Sequence, residues 1–402
     1  MPGHEWIDEQ ETNQLLEVMK TGILFRYEFK NERKDTYKVK EFEDKFAAFN
    51  RADYAHAVTS GTAALKVALA SLGIAPGDEV ITQGFTFVAT FEAIIEAGAV
   101  PVPAEIDDTL NMDPKDFERK ITSRTRAVIP VHMLGAPARI QEIVTIASRH
   151  GLKVVEDTAQ ALGAEVGGKK VGTIGDMGTF SFDFYKTITT GEGGMVLTND
   201  KSLYLRASEY ADHGHDHNPA VGRAMEGRSF LGFNYRMHEL TGAIGVAQLA
   251  KLEAILKRQK ENASVIIEAL KTLPQVEFRT LPATAKDSCT HVCFFLPDVE
   301  KAVEFQKGLT EKGLSAIYFC NNLWHYIGNW EHLLAKKTAW PGPFPFGGLP
   351  YAGAMEYHPD MLPQTKHVLG KTVVIPVALN MSPDHLNRLG DAITEVGRSI
   401  VG

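Results

Sequence analysis

Tyr54-Ala-His-Ala-Val-Thr-Ser-Gly61-Thr-Ala-Ala-Leu-Lys-Val-Ala-Leu-Ala-Ser-Leu-Gly73 reads as a short strand over residues 54–60, followed by a helix that its own glycine closes. Outward from this unit the same alternation repeats. Asp78-Glu-Val-Ile-Thr is strand-like, Val88 to Ala97 helical, and Ala99 to Ile106 extended. Two further apolar runs, Arg126 to His132 and Leu152 to Glu156, flank a helical stretch from Ile140 to Arg149. Strands alternating with helices predict an α/β fold, a mostly parallel sheet with helices on both faces. Ligands of such sheets sit beyond the carboxyl ends of the strands, so motifs at those ends carry the most weight.

The pattern changes after about residue 230. Met237 to Leu270 places Ala, Leu, Lys and Glu at helical spacing. Strands near Val276–Leu281 and His291–Leu296 and helices near Val299–Gly313 and Pro383–Val396 follow. We therefore expect a large domain over residues 1–250, with an N-terminal lid segment, and a small C-terminal α+β domain over residues 251–402. Trp340-Pro-Gly-Pro-Phe-Pro-Phe-Gly-Gly-Leu-Pro350 can hold no regular element and is expected to be a surface loop.

The 402 residues suffice for two domains, and 44% hydrophobic with 23% charged residues is a globular balance. A net charge of −8 argues against nucleic acid as a partner, since phosphate needs a basic surface. No run approaches the roughly 18 apolar residues of a membrane span, and the start carries acids without an apolar signal segment. The three cysteines, Cys289, Cys293 and Cys320, are odd in number and suggest free thiols in a reducing compartment. A soluble, cytoplasmic protein is expected.

Four features lie at predicted strand ends. Thr59-Ser60-Gly61-Thr62 is a strand-to-helix junction whose free N–H groups suit a phosphate, although the same residues make an ordinary helix cap. Glu156-Asp157-Thr158-Ala159-Gln160 puts a carboxylate after an apolar strand, where it needs a cation or a capping role. A pyridinium nitrogen would serve, because a nearby anion favours its protonated form. Gly178-Thr-Phe-Ser-Phe-Asp-Phe-Tyr-Lys186-Thr-Ile-Thr-Thr-Gly191-Glu-Gly-Gly194 sets a lysine between an aromatic run and a glycine-rich turn. Lost solvation there makes its amine a nucleophile for a carbonyl, whereas a lysine standing alone is usually a surface charge. Phe87, in Phe85-Thr-Phe87, could stack on a planar ring or simply fill the core.

With Gly77-Asp-Glu-Val-Ile81, Phe85-Thr-Phe-Val-Ala-Thr90, Gly175-Asp176 and Gly232-Phe-Asn-Tyr-Arg-Met237 added, the chain resembles the DegT/DnrJ/EryC1/StrS aminotransferases over nearly all its length. The resemblance implies a pyridoxal 5'-phosphate (PLP)-dependent transferase of fold type I, aspartate aminotransferase-like, acting on keto or aldehyde sugars with L-glutamate as amino donor. It implies that Lys186 holds PLP covalently and carries the proton between substrate and cofactor carbons. Asp157 would face the pyridine nitrogen, Gln160 the phenolic oxygen and Phe87 the ring. Gly61, Thr62 and Ser181 would hold the phosphate. Asn234 would reach the phosphate across a subunit interface, which implies a homodimer with shared active sites. Some members carry His at the lysine position and dehydrate instead, so Lys186 favours transamination.

The chain departs from the family pattern at its acceptor features. It inserts Arg26-Tyr-Glu-Phe-Lys-Asn-Glu-Arg-Lys34, either a solvated face or an anion-binding lid. A family His-Tyr-Pro segment is replaced by Tyr318-Phe-Cys-Asn-Asn-Leu-Trp-His325, and the tail carries Glu356-Tyr-His-Pro-Asp360. These features resemble the subgroup that aminates C8 of 8-oxo-Kdo, an eight-carbon acidic sugar of lipopolysaccharide. Arg26, His132 and His325 are the candidate substrate contacts. The alternatives are a transaminase of a nucleotide-linked 3- or 4-keto sugar and a PLP-binding regulator without turnover. His213-Gly-His215-Asp-His217 invites a metal reading, but no second ligand cluster follows at zinc-site spacing, so a solvent loop and no metal are expected. Cys289 and Cys293 are expected to fill the core within a strand.

Overall fold

In the computed structural model, which describes residues 3–401 apart from 352 and 354, the predicted alternation forms one seven-stranded sheet. Its first five strands are β1 (Tyr54–Val58), β2 (Glu79–Gln83), β3 (Val100–Ala104), β4 (Thr125–Ile129) and β5 (Lys153–Asp157). A short hairpin, β6 (Glu165–Val166) and β7 (Lys169–Lys170), stands apart, and β8 (Met177–Ser181) and β9 (Gly194–Thr198) complete the sheet. The order is β1-β9-β8-β5-β4-β2-β3. Only β9 runs against the others, pairing antiparallel with both β1 and β8.

Period-two alternation explains the layers. Ala127 and Ile129 of β4 pack with Leu65 and Leu69 of the helix Gly61–Ser71, while Val128 between them packs with Ile140 and Ile143 of the helix Ile140–Arg149. Both faces are thus apolar, as a helix-covered sheet requires. Gly178 sits where any side chain would strike the backbone of Gly172, its would-be Cβ lying 2.0 Å from that carbonyl oxygen.

The second sheet is antiparallel, in the order β10 (Glu277–Phe278), β11 (His291–Phe295), β12 (Thr372–Pro376). Helices Val299–Glu311 and Pro383–Val401 pack on it. Helix Glu239–Leu270 passes through residue 250 without a break. Its Leu249, Leu252 and Ile255 serve the first core, and its Ile266 and Leu270 the second. A division at residue 250 therefore falls inside a helix, because one apolar stripe continues across both sheets.

One expectation about loops holds and one is corrected. Residues 340–350 hold no helix or strand and lie mostly on the surface, with Phe346 turned inward. Phe346 and the following Tyr351 and Tyr357 are buried in a cluster with Phe85, Phe91 and Trp330. Tyr351 donates to Glu79 at 3.1 Å and Tyr357 to the Pro101 carbonyl at 2.6 Å, tying this excursion to the ends of β2 and β3. The histidine loop is not a solvent loop. His215 is buried on Glu226 at 2.6 Å, and the ring of His217 stacks on Tyr27 at 4.8 Å. Cys293 is a buried strand residue, whereas Cys289 precedes β11 with a φ of 58°. The disulfide-free reading agrees with three free cysteines. No described helix is long and apolar enough to cross a membrane.

Candidate functional site

The carboxyl ends of β1, β2, β5 and β8 converge on a cavity of about 650 Å³. Gly61, Thr62, Phe87, Asp157, Gln160, Ser181, Lys186 and His325 all line it, so eight residues chosen from scattered sequence stretches meet at one place.

One wall is the start of helix Gly61–Ser71. Ser60 caps it by accepting from the Ala63 N–H at 3.0 Å. The N–H groups of Gly61 and Thr62, in the first turn, have no carbonyl within the helix to bond, and the helix dipole adds positive potential there. A Cβ on Gly61 would lie 2.6 Å from the Ser181 Cβ, so only glycine lets β8 approach the helix start this closely.

The floor is Asp157, 5% exposed at the end of β5. It accepts from the Thr90 hydroxyl at 2.9 Å and from the Ala159 N–H at 3.1 Å. Burial lifts its carboxyl above the ordinary range, against the opposing pull of those donors and of Lys186. A buried carboxylate of this kind is fully satisfied only by a cation entering the cavity.

Lys186 stands in the loop after β8. Its N–H donates to the Asp183 carbonyl and its own carbonyl accepts from Gly3, both at 2.9 Å, which fixes the backbone independently of the amine. The amine lies 5.9 Å from the centre of the Phe87 ring. Burial pushes its pKa below the usual lysine value, against the pull of Asp183 and Asp157.

The opposite wall comes from the small sheet and the segment after it. His325 donates from Nδ1–H to the Asn322 Oδ1 at 3.0 Å, and burial together with Lys186 drops its imidazole to about 4, so it is neutral at pH 7. Trp324 lies parallel to Phe87, ring centres 6.0 Å apart. Gln160 is held by the Leu134 N–H at 3.1 Å.

Three candidates lie elsewhere. Arg26 does not line this cavity: its guanidinium is committed to Glu43 at 2.7 Å and to the Ala57 carbonyl at 3.0 Å. The neighbouring Arg33 is fully buried on Glu239 at 3.0 Å, whereas Glu28 to Glu32 and Lys34 are exposed, so two arginines anchor an inserted segment whose outer side is the solvated face expected. His132 is fully buried below the floor. Its Nδ1 accepts from Ala138, which leaves Nε2–H to donate to Glu156 at 3.0 Å; it supports the strand end rather than touching the cavity. Asn234 is exposed and outside this cavity.

Cavity residues that the sequence reading missed include Thr90, Glu192, His291, Asn322 and Trp324. Thr90 closes the quoted motif Phe85 to Thr90, and Asn322 and Trp324 fall in the segment already marked as unusual. His291 gave no signal, because it arrives from the other sheet as the first residue of β11. No group of three or more His, Cys, Asp or Glu side chains among the described residues is arranged to hold a metal.

Comparison with known proteins accords with this geometry. The GDP-perosamine synthase of Escherichia coli O157:H7 is 44% identical over 239 residues, 59% of this chain and 64% of that enzyme. The GDP-perosamine synthase of Vibrio cholerae is 36% identical over 312 residues, 75% of this chain and 81% of its own. The crystal structure of an aminotransferase from Psychrobacter cryohalolentis superposes with a TM-score of 0.84 at 25% identity, covering 98% of both chains. Residues 6–341 match one family throughout, and the chain belongs to it: the DegT/DnrJ/EryC1/StrS aminotransferase family.

Proposed function

We propose that this aminotransferase moves the amino group of L-glutamate to a keto or aldehyde sugar, with PLP in the Lys186 cavity. One observation carries the reading: a buried lysine amine and a buried carboxylate face the same cavity beside a helix start that only glycine permits. PLP, when bound, supplies an aldehyde for the lysine and a ring that withdraws electrons from the substrate carbon. Gly61, Thr62 and Ser181 would hold its phosphate, Asp157 its ring nitrogen and Gln160 its phenolic oxygen, with Phe87 and Trp324 walling the ring side of the cavity. Lys186 Nζ, whose hold on its proton burial weakens, would take the proton from the substrate carbon.

The segment Phe319–His325 favours the acidic sugar 8-oxo-Kdo as acceptor, since it is where the sequence resembles that subgroup and where it walls the cavity. With Arg26 committed to Glu43, carboxylate recognition falls to Asn322, to the neutral His291 and His325, or to a second subunit. A second reading, a nucleotide-linked 4-keto sugar, is favoured by the names of the two GDP-perosamine synthases. Holoenzyme loaded with L-glutamate and offered each acceptor separates them. Faster turnover of 8-oxo-Kdo supports the first reading, and preference for the GDP-linked keto sugar removes it. A protein that converts PLP to its amino form with neither L-glutamate nor L-glutamine is a regulator, not an enzyme.

The active species we propose is a homodimer. Leu231 is 96% exposed beside the exposed Phe233 and Asn234, an apolar surface that needs covering. If Asn234 completes a neighbour's site, mixing inactive Lys186→Ala and Asn234→Ala subunits regenerates some sites with both residues intact. Recovered activity is the expected result; none, with subunit exchange verified by mass, places the whole site within one chain.

A further inference from the structure

Two segments singled out in the sequence and unused by the proposed reaction, the insertion at Arg26 and the histidine loop, meet in the fold. Between them lies a second cavity of about 510 Å³ that shares no lining residue with the Lys186 cavity. Its walls are Arg26 and Tyr27 from the insertion, His56 from β1, Tyr204, and His217 and Arg223 from the loop. The Arg223 guanidinium and the Arg26 guanidinium each lie 5.0 Å from the Tyr27 ring centre, and His217 stacks on the same ring.

What marks this cavity is unspent hydrogen-bonding capacity. Buried polar atoms in native proteins nearly always have partners. Among the described residues fourteen buried side-chain atoms have none, and five of them belong to side chains lining this one cavity. They are Tyr27 Oη, both ring nitrogens of His56, His217 Nε2 and Arg223 Nη1. His56 is only 2% exposed, and Glu43, its nearest carboxylate, lies beyond hydrogen-bond distance at 3.6 Å. The surrounding carboxylates hold other groups: Glu43 holds Arg26, Asp212 Oδ1 holds Arg223 and Arg236, and Glu226 holds His215, while Asp212 Oδ2 stands 3.6 Å from His217 Nε2 and Glu226 3.8 Å from Arg223 Nη1, both beyond hydrogen-bond distance.

The chemistry of the unspent groups selects a ligand. Burial lowers the pKa of His56 and of His217, so both rings are neutral, each with one N–H to give and one lone pair to receive it. Tyr27 Oη likewise gives and receives, and Arg223 Nη1 gives. The charged lining is balanced, Arg26, Lys40 and Arg223 against Glu28, Glu43 and Glu226, so no net positive charge draws in a phosphate or a carboxylate. Groups that both donate and accept, in a charge-balanced pocket with two tyrosine rings, match hydroxyls on a carbon frame. We propose that this cavity is a second binding site, for a hydroxyl-rich small molecule of monosaccharide size. It does not depend on the transamination reading, and its test involves no turnover.

The test is binding of D-mannose, D-glucose and sorbitol to the holoenzyme, by saturation-transfer NMR and calorimetry, with sodium acetate and inorganic phosphate as anion probes. At least one polyol should bind. Tyr27→Phe, which removes one hydroxyl and keeps the stacked ring, should weaken it about tenfold, as losing one hydrogen bond to a buried group does. Arg223→Gln is the second variant, and Trp324→Ala, in the other cavity, should leave this binding unchanged. The site is overturned if no polyol binds, which would mean ordered water alone satisfies these atoms, or if the anions bind in their place. It is also overturned if binding survives both pocket variants or is lost only in Trp324→Ala.

Discussion

Lys186→Ala leaves a folded protein whose turnover falls about 10,000-fold, the upper range for a positioned acid–base group, and further still if the covalent link is needed as well. The fold should survive because the backbone at 186 is held through Asp183 and Gly3, and Nζ takes part in no ion pair among the described residues. Chemistry should not survive, since no other lysine lines the cavity and the neighbouring imidazole of His325, at about 4, is a weak base. Borohydride should fix cofactor to the wild-type peptide containing Lys186 and to no peptide of the variant. An alanine variant that still cycles would remove Lys186 from the mechanism.

Asp157→Asn should lower kcat by about 100-fold, some 2.7 kcal/mol, with little change in the KM for glutamate. The substitution keeps the oxygen that Ala159 N–H donates to and sets an amide N–H opposite the Thr90 hydroxyl, which can turn to accept it, so the change is mainly one of charge. Its effect on the apoprotein should have the opposite sign. The folded carboxyl sits above its unfolded value through burial, so its contribution to stability is greatest below the unfolded pKa and is lost as pH rises through the folded one. At neutral pH the apoprotein variant should therefore unfold at the same temperature or higher. A variant with near-normal kcat would make Asp157 only a capping residue, and one that unfolds earlier would make it a structural anchor.

Strands β1 to β5 were legible because each is a short run with an apolar centre between helical stretches. β8 and β9 were not. Met177–Ser181 and Gly194–Thr198 carry glycines forced by backbone contacts with Gly172 and Ser60, which reads in sequence as a flexible turn rather than as two strands. The convergence of Gly61, Asp157 and Ser181 on one cavity was legible for a related reason: they sit at strand ends, where position follows from secondary structure alone. The acceptor side depends on which long-range partner each charge finds. Arg26 stands in apolar surroundings as expected, but Glu43, on the next helix, takes its guanidinium. His132 lies beyond β4, which ends at Ile129, and Ala138 and Glu156 turn its ring beneath the floor. Neither pairing leaves a mark on hydrophobic periodicity.

The excursion through Phe346, Tyr351 and Tyr357 constrains how a substrate gets in. It leaves the small unit, plugs its aromatic rings beneath the ends of β2 and β3, and returns to the helix Pro363–Gly370 and then β12. Together with the unbroken helix Glu239–Leu270 it makes two links between the sheets. A frame braced twice resists hinge opening, because both the helix and the buried tyrosine contacts would have to yield at once. Access to the lysine then falls to local swinging of the half-exposed Phe87 and Trp324, a side-chain door in a rigid wall.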